Sequence, residues 1–184
     1  MRSIIPHQEN PALREMAHAI PLADIGTAKI KKLITDMKSL MAREKFGVAI
    51  AAAQVGEPLA MFIVSGKAIA IRASNKNPEM AEEVADEEAA ETPDQVYINP
   101  VLTKVSRGRK EKHEGCLSIR GKWGMVPRAE KATVTAYDEH GKKFTRGASG
   151  FLAHIFQHEM DHLKGVLYID KAKDLYDETL DESR

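Results

Sequence analysis

Cysteine is nearly absent from the chain: Cys116 is the only one in 184 residues. A lone cysteine excludes an intramolecular disulfide, fits a reducing compartment and makes that one thiol worth explaining. Net charge is absent too, because 27 Lys and Arg stand against 27 Asp and Glu. That balance argues against a protein whose main task is to grip nucleic acid or an anionic membrane. No apolar run reaches the roughly 18 residues that a transmembrane helix needs. The opening Met1-Arg2-Ser3-Ile4-Ile5-Pro6-His7 lacks the charged-then-apolar layout of a secretion signal and the Arg- and Ser-rich character of a transit peptide. A cytoplasmic protein is expected. What is present, 43% hydrophobic and 29% charged residues, is the composition of an ordinary globular protein. The length suits one domain of about 150–200 residues.

Along the chain, residues 1–26 read as a loop-like arm punctuated by Pro6, Pro11, Pro21 and Gly26. Thr27 caps a helix expected to run to about Lys45, with Ile30, Leu33, Ile34, Met37, Leu40 and Met41 on one buried face and Gly47 beyond its end. Residues 59–64 read as a buried strand. Between Glu79 and Asp94 there are eight acidic residues and no basic one. The region 72–94 is therefore read as a solvated acidic insertion rather than a docking site. Strands are expected at 96–98, 102–105, 111–118, 132–137 and 144–146, with Asp138-Glu139-His140-Gly141 as a hairpin turn. A second helix is expected over 151–163, ended by Gly165, then a short strand at 166–169. Residues 1–170 form the expected single domain and 171–184 a polar tail. Runs of strands flanked by two main helices predict an α+β class, with mixed or antiparallel sheets around the second helix.

That second helix carries His158-Glu159-Met160-Asp161-His162. Two histidines at i and i+4 share a helix face, so both imidazoles can reach one cation, and the adjacent Glu can take a proton from a water there. A pair of ordinary surface or core histidines gives the same pattern. A third ligand is needed, and Cys116, His154, His113, Asp161 and a distant carboxylate are candidates. Cys116 stands beside Gly115, where backbone can approach closely, and a thiolate suits soft and borderline metals; a lone Cys is also commonly a small buried hydrophobe. His154 is a poor third ligand, because the outer members of an i, i+4, i+8 stripe are separated by about 12 Å of rise. His113 is three residues from Cys116, which places it on the opposite face of a strand. His7, His18 and His140 have no partner pattern and are expected at the surface.

Three separated segments resemble, in order, the signature motifs of the peptide deformylase family. They are Gly47-Val-Ala-Ile-Ala-Ala-Ala-Gln54, Glu114-Gly-Cys-Leu-Ser118 and Gln157-His-Glu-Met-Asp-His162. Weaker resemblance extends over Asn99-Pro100, Val126-Pro127-Arg128 and Gly165-Val-Leu-Tyr-Ile-Asp170. The resemblance implies one divalent cation held by Cys116, His158 and His162, most often Fe(II), with Zn(II), Ni(II) or Co(II) able to take the same ligands. It implies hydrolysis of the formyl group from N-formylmethionyl nascent peptides, in a bacterial-type cytoplasmic setting, by a monomer with at most transient ribosome contact. Glu159 would be the proton shuttle. The Gln54 side-chain amide and the Leu117 backbone N–H would steady the tetrahedral oxyanion. Phe151, His154 and Ile155, with Val48, are the expected wall of the methionine pocket. The substrate backbone is expected to pair with extended chain at Gly47-Val48 and Glu114-Gly115.

The chain departs from the family pattern at Ala49, where a second Gly is usual, at Ala53 and Arg120, where Pro is usual, and at His154, an ionisable wall residue. These changes bear on rate and specificity. Two other readings compete: a metal-dependent amidase or peptidase of different specificity, and a slow or inactive deformylase-like metal-binding protein.

Overall fold

The structure is a computed structural model and describes residues 2–73 and 92–177, the side chains of 71–73 excepted. Met1, residues 74–91 of the acidic insertion expected at 72–94, and residues 178–184 of the tail lie outside the described residues.

Alternation along the strands decides the layering. In β1 (Ala49–Ala51), β2 (Met61–Val64) and the start of β3 (Gln95–Val105), both faces are buried. Ile50, Met61, Ile63, Val96 and Ile98 enter one core, while Ala49, Ala51, Phe62, Val64 and Tyr97 enter another. Successive side chains point to opposite faces, so this sheet must be covered on both sides. Helix α1 (Ala28–Arg43) covers one side with Ile30, Leu33, Ile34, Met37 and Met41. Helix α3 (Gly150–His162) covers the other with Leu152, Ala153, Ile155, Phe156 and Met160. The cross-strand pair Phe62–Tyr97 stacks at 4.7 Å, and Phe156 of α3 meets the Tyr97 ring edge-on at 5.2 Å.

β6 (Lys131–Tyr137) and β7 (Lys143–Ser149) complete this five-stranded sheet in the order β1-β2-β3-β6-β7. Their hairpin turn is set by Asp138, whose carboxylate accepts the N–H of His140 and of Lys142. A second sheet, β4-β5-β8, is formed by β4 (Arg109–Cys116), β5 (Ile119–Ala129) and β8 (Leu175–Asp177). Every paired strand in both sheets is antiparallel. This is an α+β fold. Among the described residues no helix is long and apolar enough to cross a membrane.

Several elements differ from the sequence-based expectation. The two strands expected at 96–98 and 102–105 are one strand, kinked at Asn99 with φ 49° and a register shift from Ile98 to Val101. β5 was not anticipated, because Gly121, Gly124 and Pro127 interrupt its alternation. Residues 166–169 do not form a strand; Tyr168–Asp170 is a 3-10 turn. The segment after Asp170 contributes β8, which pairs with Lys122–Gly124. Helix α2 (Gly66–Ala73), begun by the Ser65 hydroxyl accepting the Ala68 N–H, packs against α3 and was also missed. The arm contains 3-10 turns at Pro11–Arg14 and Leu22–Asp24, and α1 stops at Arg43, two residues earlier than expected.

Asn99 both accepts the N–H of Ile20 (2.8 Å) and donates to its carbonyl (2.7 Å) from a left-handed backbone. Asparagine tolerates that conformation better than alanine. Asn99→Ala is therefore expected to cost about 2–3 kcal/mol, read as a lower urea midpoint at unchanged slope, with Asn99→Gly losing less.

Candidate metal centre and its cavity

The Cys116 sulfur and one nitrogen each of His158 and His162 lie within 4.8 Å of one another. Two local structures deliver them. β4 ends at Cys116, and a register shift between Glu114 and Cys116 turns the chain there. Helix α3 presents both histidines from adjacent turns. Cys116 Sγ stands 3.4 Å from His162 Nε2. A tetrahedral ion with ordinary zinc–sulfur and zinc–nitrogen bond lengths would separate such a pair by about 3.6 Å. The donor set fits a divalent transition metal.

The protonation pattern also fits. Glu114 is buried and accepts from Arg128 Nε (2.5 Å), Arg128 Nη2 (2.9 Å), His154 Nε2 (2.8 Å) and His158 Nδ1 (2.9 Å). Burial pushes its proton affinity up, but Arg128, His154 and His158 outweigh that and hold the carboxyl well below its usual range. A carboxylate can only accept, so His158 must carry a hydrogen on Nδ1, and Nε2 is the nitrogen that a cation could take, in place of the second proton that the ring otherwise holds there. Burial opposes a charge on His158, but Cys116 and Glu114 hold its proton affinity well above the ordinary value. Burial, reinforced by His158, pushes His162 well below it.

Glu159 is buried and its Oε2 has no hydrogen-bond partner among the described residues. Burial is the main cause that raises its pKa to about 7. Gln54, in the 3-10 turn after β1, is buried and fixed at both ends. Its Oε1 accepts the Ala51 N–H (2.8 Å), which forces its NH2 group toward Cys116 Sγ at 3.4 Å.

Cys116, His158, Glu159 and Gln54 open on a cavity of about 260 Å³, with His162 behind its wall, that also brings Val48, Ala49, Leu117, Phe151, His154 and Ile155 together with Phe46 and Trp123. Glu114 and Gly115 line it as well; the Glu114 side chain is committed to Arg128 and the histidines. Gly47 is not among the lining residues. A Cβ there would lie 2.1 Å from the Met41 carbonyl oxygen, so the glycine serves the close passage of backbone past the end of α1. Ala49 has no positive φ, so its methyl bears on cavity space rather than backbone strain.

Of the other candidate ligands, His154 and His113 line the cavity but stand outside the three-residue donor group. His113 Nδ1 instead meets the Tyr176 hydroxyl (2.5 Å). Asp161 is engaged by Arg128 Nη1 (2.6 Å) and Lys171 Nζ (2.7 Å). His18 and His140 are exposed, whereas His7 is partly buried with Nδ1 unpartnered. Arg128, Phe46 and Trp123 were not singled out as site residues from sequence. Arg128 lies in Val126-Pro127-Arg128, a segment of weaker family resemblance, which was a usable signal; the aromatic pair carried none.

The fold brings together a Cys-His-His donor group that could hold a metal ion, one donor from the end of a strand and two from a helix, beside an apolar cavity. The family model for polypeptide deformylase matches residues 1–178. The chloroplastic/mitochondrial peptide deformylase 1A of Arabidopsis thaliana is 38% identical over 162 residues, 88% of this chain and 58% of the relative. The chloroplastic enzyme of Solanum lycopersicum is 37% identical, over 88% and 56%. This chain thus spans less than three fifths of the length of these curated relatives. Among solved structures, a Legionella pneumophila peptide deformylase superposes with TM-score 0.73 at 32% identity, covering 94% of this chain and 86% of its own. A class I type b enzyme from Acinetobacter baumannii reaches 0.75 at 27% identity, covering 93% and 98%. The chain belongs to the polypeptide deformylase family.

Glu114→Ala leaves Arg128 buried against Asp161 alone, and a loss of about 3–5 kcal/mol in unfolding free energy is expected. Because the folded state depresses the Glu114 pKa, its contribution is complete above the ordinary carboxylate value of 4.5. It is lost only as pH falls toward the depressed value. The stability gap between wild type and Glu114→Gln should therefore persist from neutral pH to below 4.5 and close in stronger acid.

Proposed function

We propose that the chain hydrolyses the formyl group from N-formylmethionyl peptides, releasing formate and a free methionine amine. The observation that carries this reading is the convergence of Cys116, His158 and His162 with the unpartnered carboxylate of Glu159 and the oriented amide of Gln54 at one cavity. Cys116, His158 and His162 would hold one divalent cation; the thiolate and two imidazoles suit Fe(II), with Zn(II), Ni(II) and Co(II) as substitutes. When bound, that ion supplies Lewis acidity, so that water becomes a competent nucleophile near neutral pH.

The remaining work falls to the chain's own groups. Glu159 Oε2 accepts the proton of the attacking water and returns it to the departing nitrogen. Its raised pKa suits that exchange, and a nearby cation would draw it down again. Gln54 Nε2 and the Leu117 backbone N–H donate to the oxyanion as charge develops there. Val48, Phe151, His154 and Ile155 receive the methionine side chain in the cavity. Gly115 and Val48 offer extended backbone for the peptide to pair with. A formyl carbon bears only hydrogen, so a close-fitting site rejects larger acyl groups by size. The substrate arises where translation begins with formylmethionine, consistent with a bacterial-type cytoplasmic setting and transient ribosome contact.

Formate release from formyl-Met-Ala-Ser, with no cleavage of the acetylated or unblocked peptide, tests the reaction. A metal-loaded protein that releases no formate would refute it. Cys116→Ser is expected to weaken cation affinity at least about a hundredfold, measured by metal analysis after dialysis against a chelator. Glu159→Ala should keep the ion and lose about 10²–10⁴ in kcat. In the wild type kcat/KM should fall as pH drops through the Glu159 pKa, because the protonated carboxyl cannot accept. Ala49→Gly is expected to raise kcat/KM by relieving the cavity, with Ile155→Asp lowering it.

A further inference from the structure

The cavity at the metal centre continues into two others. One, of about 290 Å³, shares Phe46, Gly115, Cys116, Leu117 and Trp123 with it. The next, of about 200 Å³, shares Leu117, Ile119, Arg120 and Lys122 with the first. Leu117, in the turn between β4 and β5, lines all three, so the cavities adjoin along that turn as a trough that leads away from Cys116. Phe46 and Trp123 meet edge-on at 6.3 Å where the first two cavities join, and Phe46 is 53% exposed.

The charge on this trough is one-sided. Lys45, Arg120 and Lys122 line its first cavity, against the single carboxylate of Glu44. Glu44 is already paired with Arg120 (2.7 Å), and Lys122 pairs with Asp177 (2.8 Å). Both cations stay more than half exposed in these pairs, at 69% and 54%. Such exposed pairs exchange partners at little cost. The Lys45 ammonium lies 5.3 Å from the Phe46 ring centre and has no carboxylate partner among the described residues. A carboxylate entering the trough meets a free ammonium at its mouth and two exchangeable cations along its wall. An ammonium there would meet the excess of positive charge, and could pair only by taking Glu44 or Asp177 from its present partner.

Resting on the formylmethionyl reading, we propose that the trough receives the residues that follow formylmethionine and selects for Asp or Glu among them. Lys45, Arg120 and Lys122 are then specificity-determining residues. Nothing in the reacting groups themselves depends on them, so the preference is separable from the chemistry.

The test uses metal-loaded enzyme and C-terminally amidated formyl-Met-Ala-Asp, formyl-Met-Ala-Ser and formyl-Met-Ala-Lys, with a second set bearing the variable residue at position four. At low ionic strength, kcat/KM for the better-placed Asp peptide should exceed that for its Lys counterpart by about fivefold. The ratio should approach one in about 1 M NaCl, where screening is nearly complete. Lys45→Ala combined with Arg120→Ala should bring it to one or below. Equal rates or a Lys preference in both sets, or an Asp preference that neither salt nor the double variant changes, would overturn the inference. Should the double variant fail to fold, the wild-type ratio and its salt dependence decide alone. Absence of formate from every peptide would overturn the proposed activity and this inference with it, whereas equal release overturns the inference alone.

Discussion

One buried carboxylate ties the molecule together. Glu114 takes hydrogen bonds from Arg128 on β5 and from His154 and His158 on α3, so a single group links the small sheet to the helix packed on the large one. An ionised group so deeply buried is tolerable only because all its partners are present. The same contacts engage Nδ1 of His158 and leave Nε2 as the nitrogen facing the donor group. Fold stability and ligand geometry therefore share one origin at this point, and Arg128 extends the link through Asp161 to Lys171 beyond the end of α3.

The helix is held at both edges by groups outside the Cys-His-His donor group. Gln157 is clamped to the backbone of Ala129, its Oε1 accepting the N–H and its Nε2 donating to the carbonyl. The apolar side of α3 is pressed onto the sheet by Phe156, Leu152 and Met160. A helix fixed against rotation and sliding presents two imidazoles to the thiol at the end of β4, the preorganisation that a site for a metal ion would need.

Much of this was legible in sequence wherever local pattern and chemistry coincided. The spacing of Ile30, Leu33, Ile34, Met37 and Met41 defined the buried face of α1, and the His-Glu-x-x-His spacing marked α3 as the helix to watch. β5 and β8 were illegible because their stability comes from partners distant in sequence: Trp123 and Tyr176 pair across the strands although neither flanking stretch alternates. The expected strand at 166–169 failed because a short apolar run does not by itself distinguish a strand from a buried turn; Leu167 and Tyr168 are buried in the third core beside Leu13 and Ile119. Arg128 shows the same limit. An arginine after a proline looks like surface until the fold brings Glu114 and Asp161 to it.

The arm that opens the chain runs alongside the chemistry. The N–H of Ile5 donates to the Gln54 carbonyl and that of His7 to the Ser118 carbonyl, both at 2.9 Å. Those two carbonyls belong to Gln54, whose amide faces Cys116, and to the neighbour of Leu117, which lines the cavity. The segment Ile5–His7 thus works as a brace across both loops. A force on residues 5–7 therefore reaches both loops of the candidate site by way of two backbone hydrogen bonds, although it touches no side chain there.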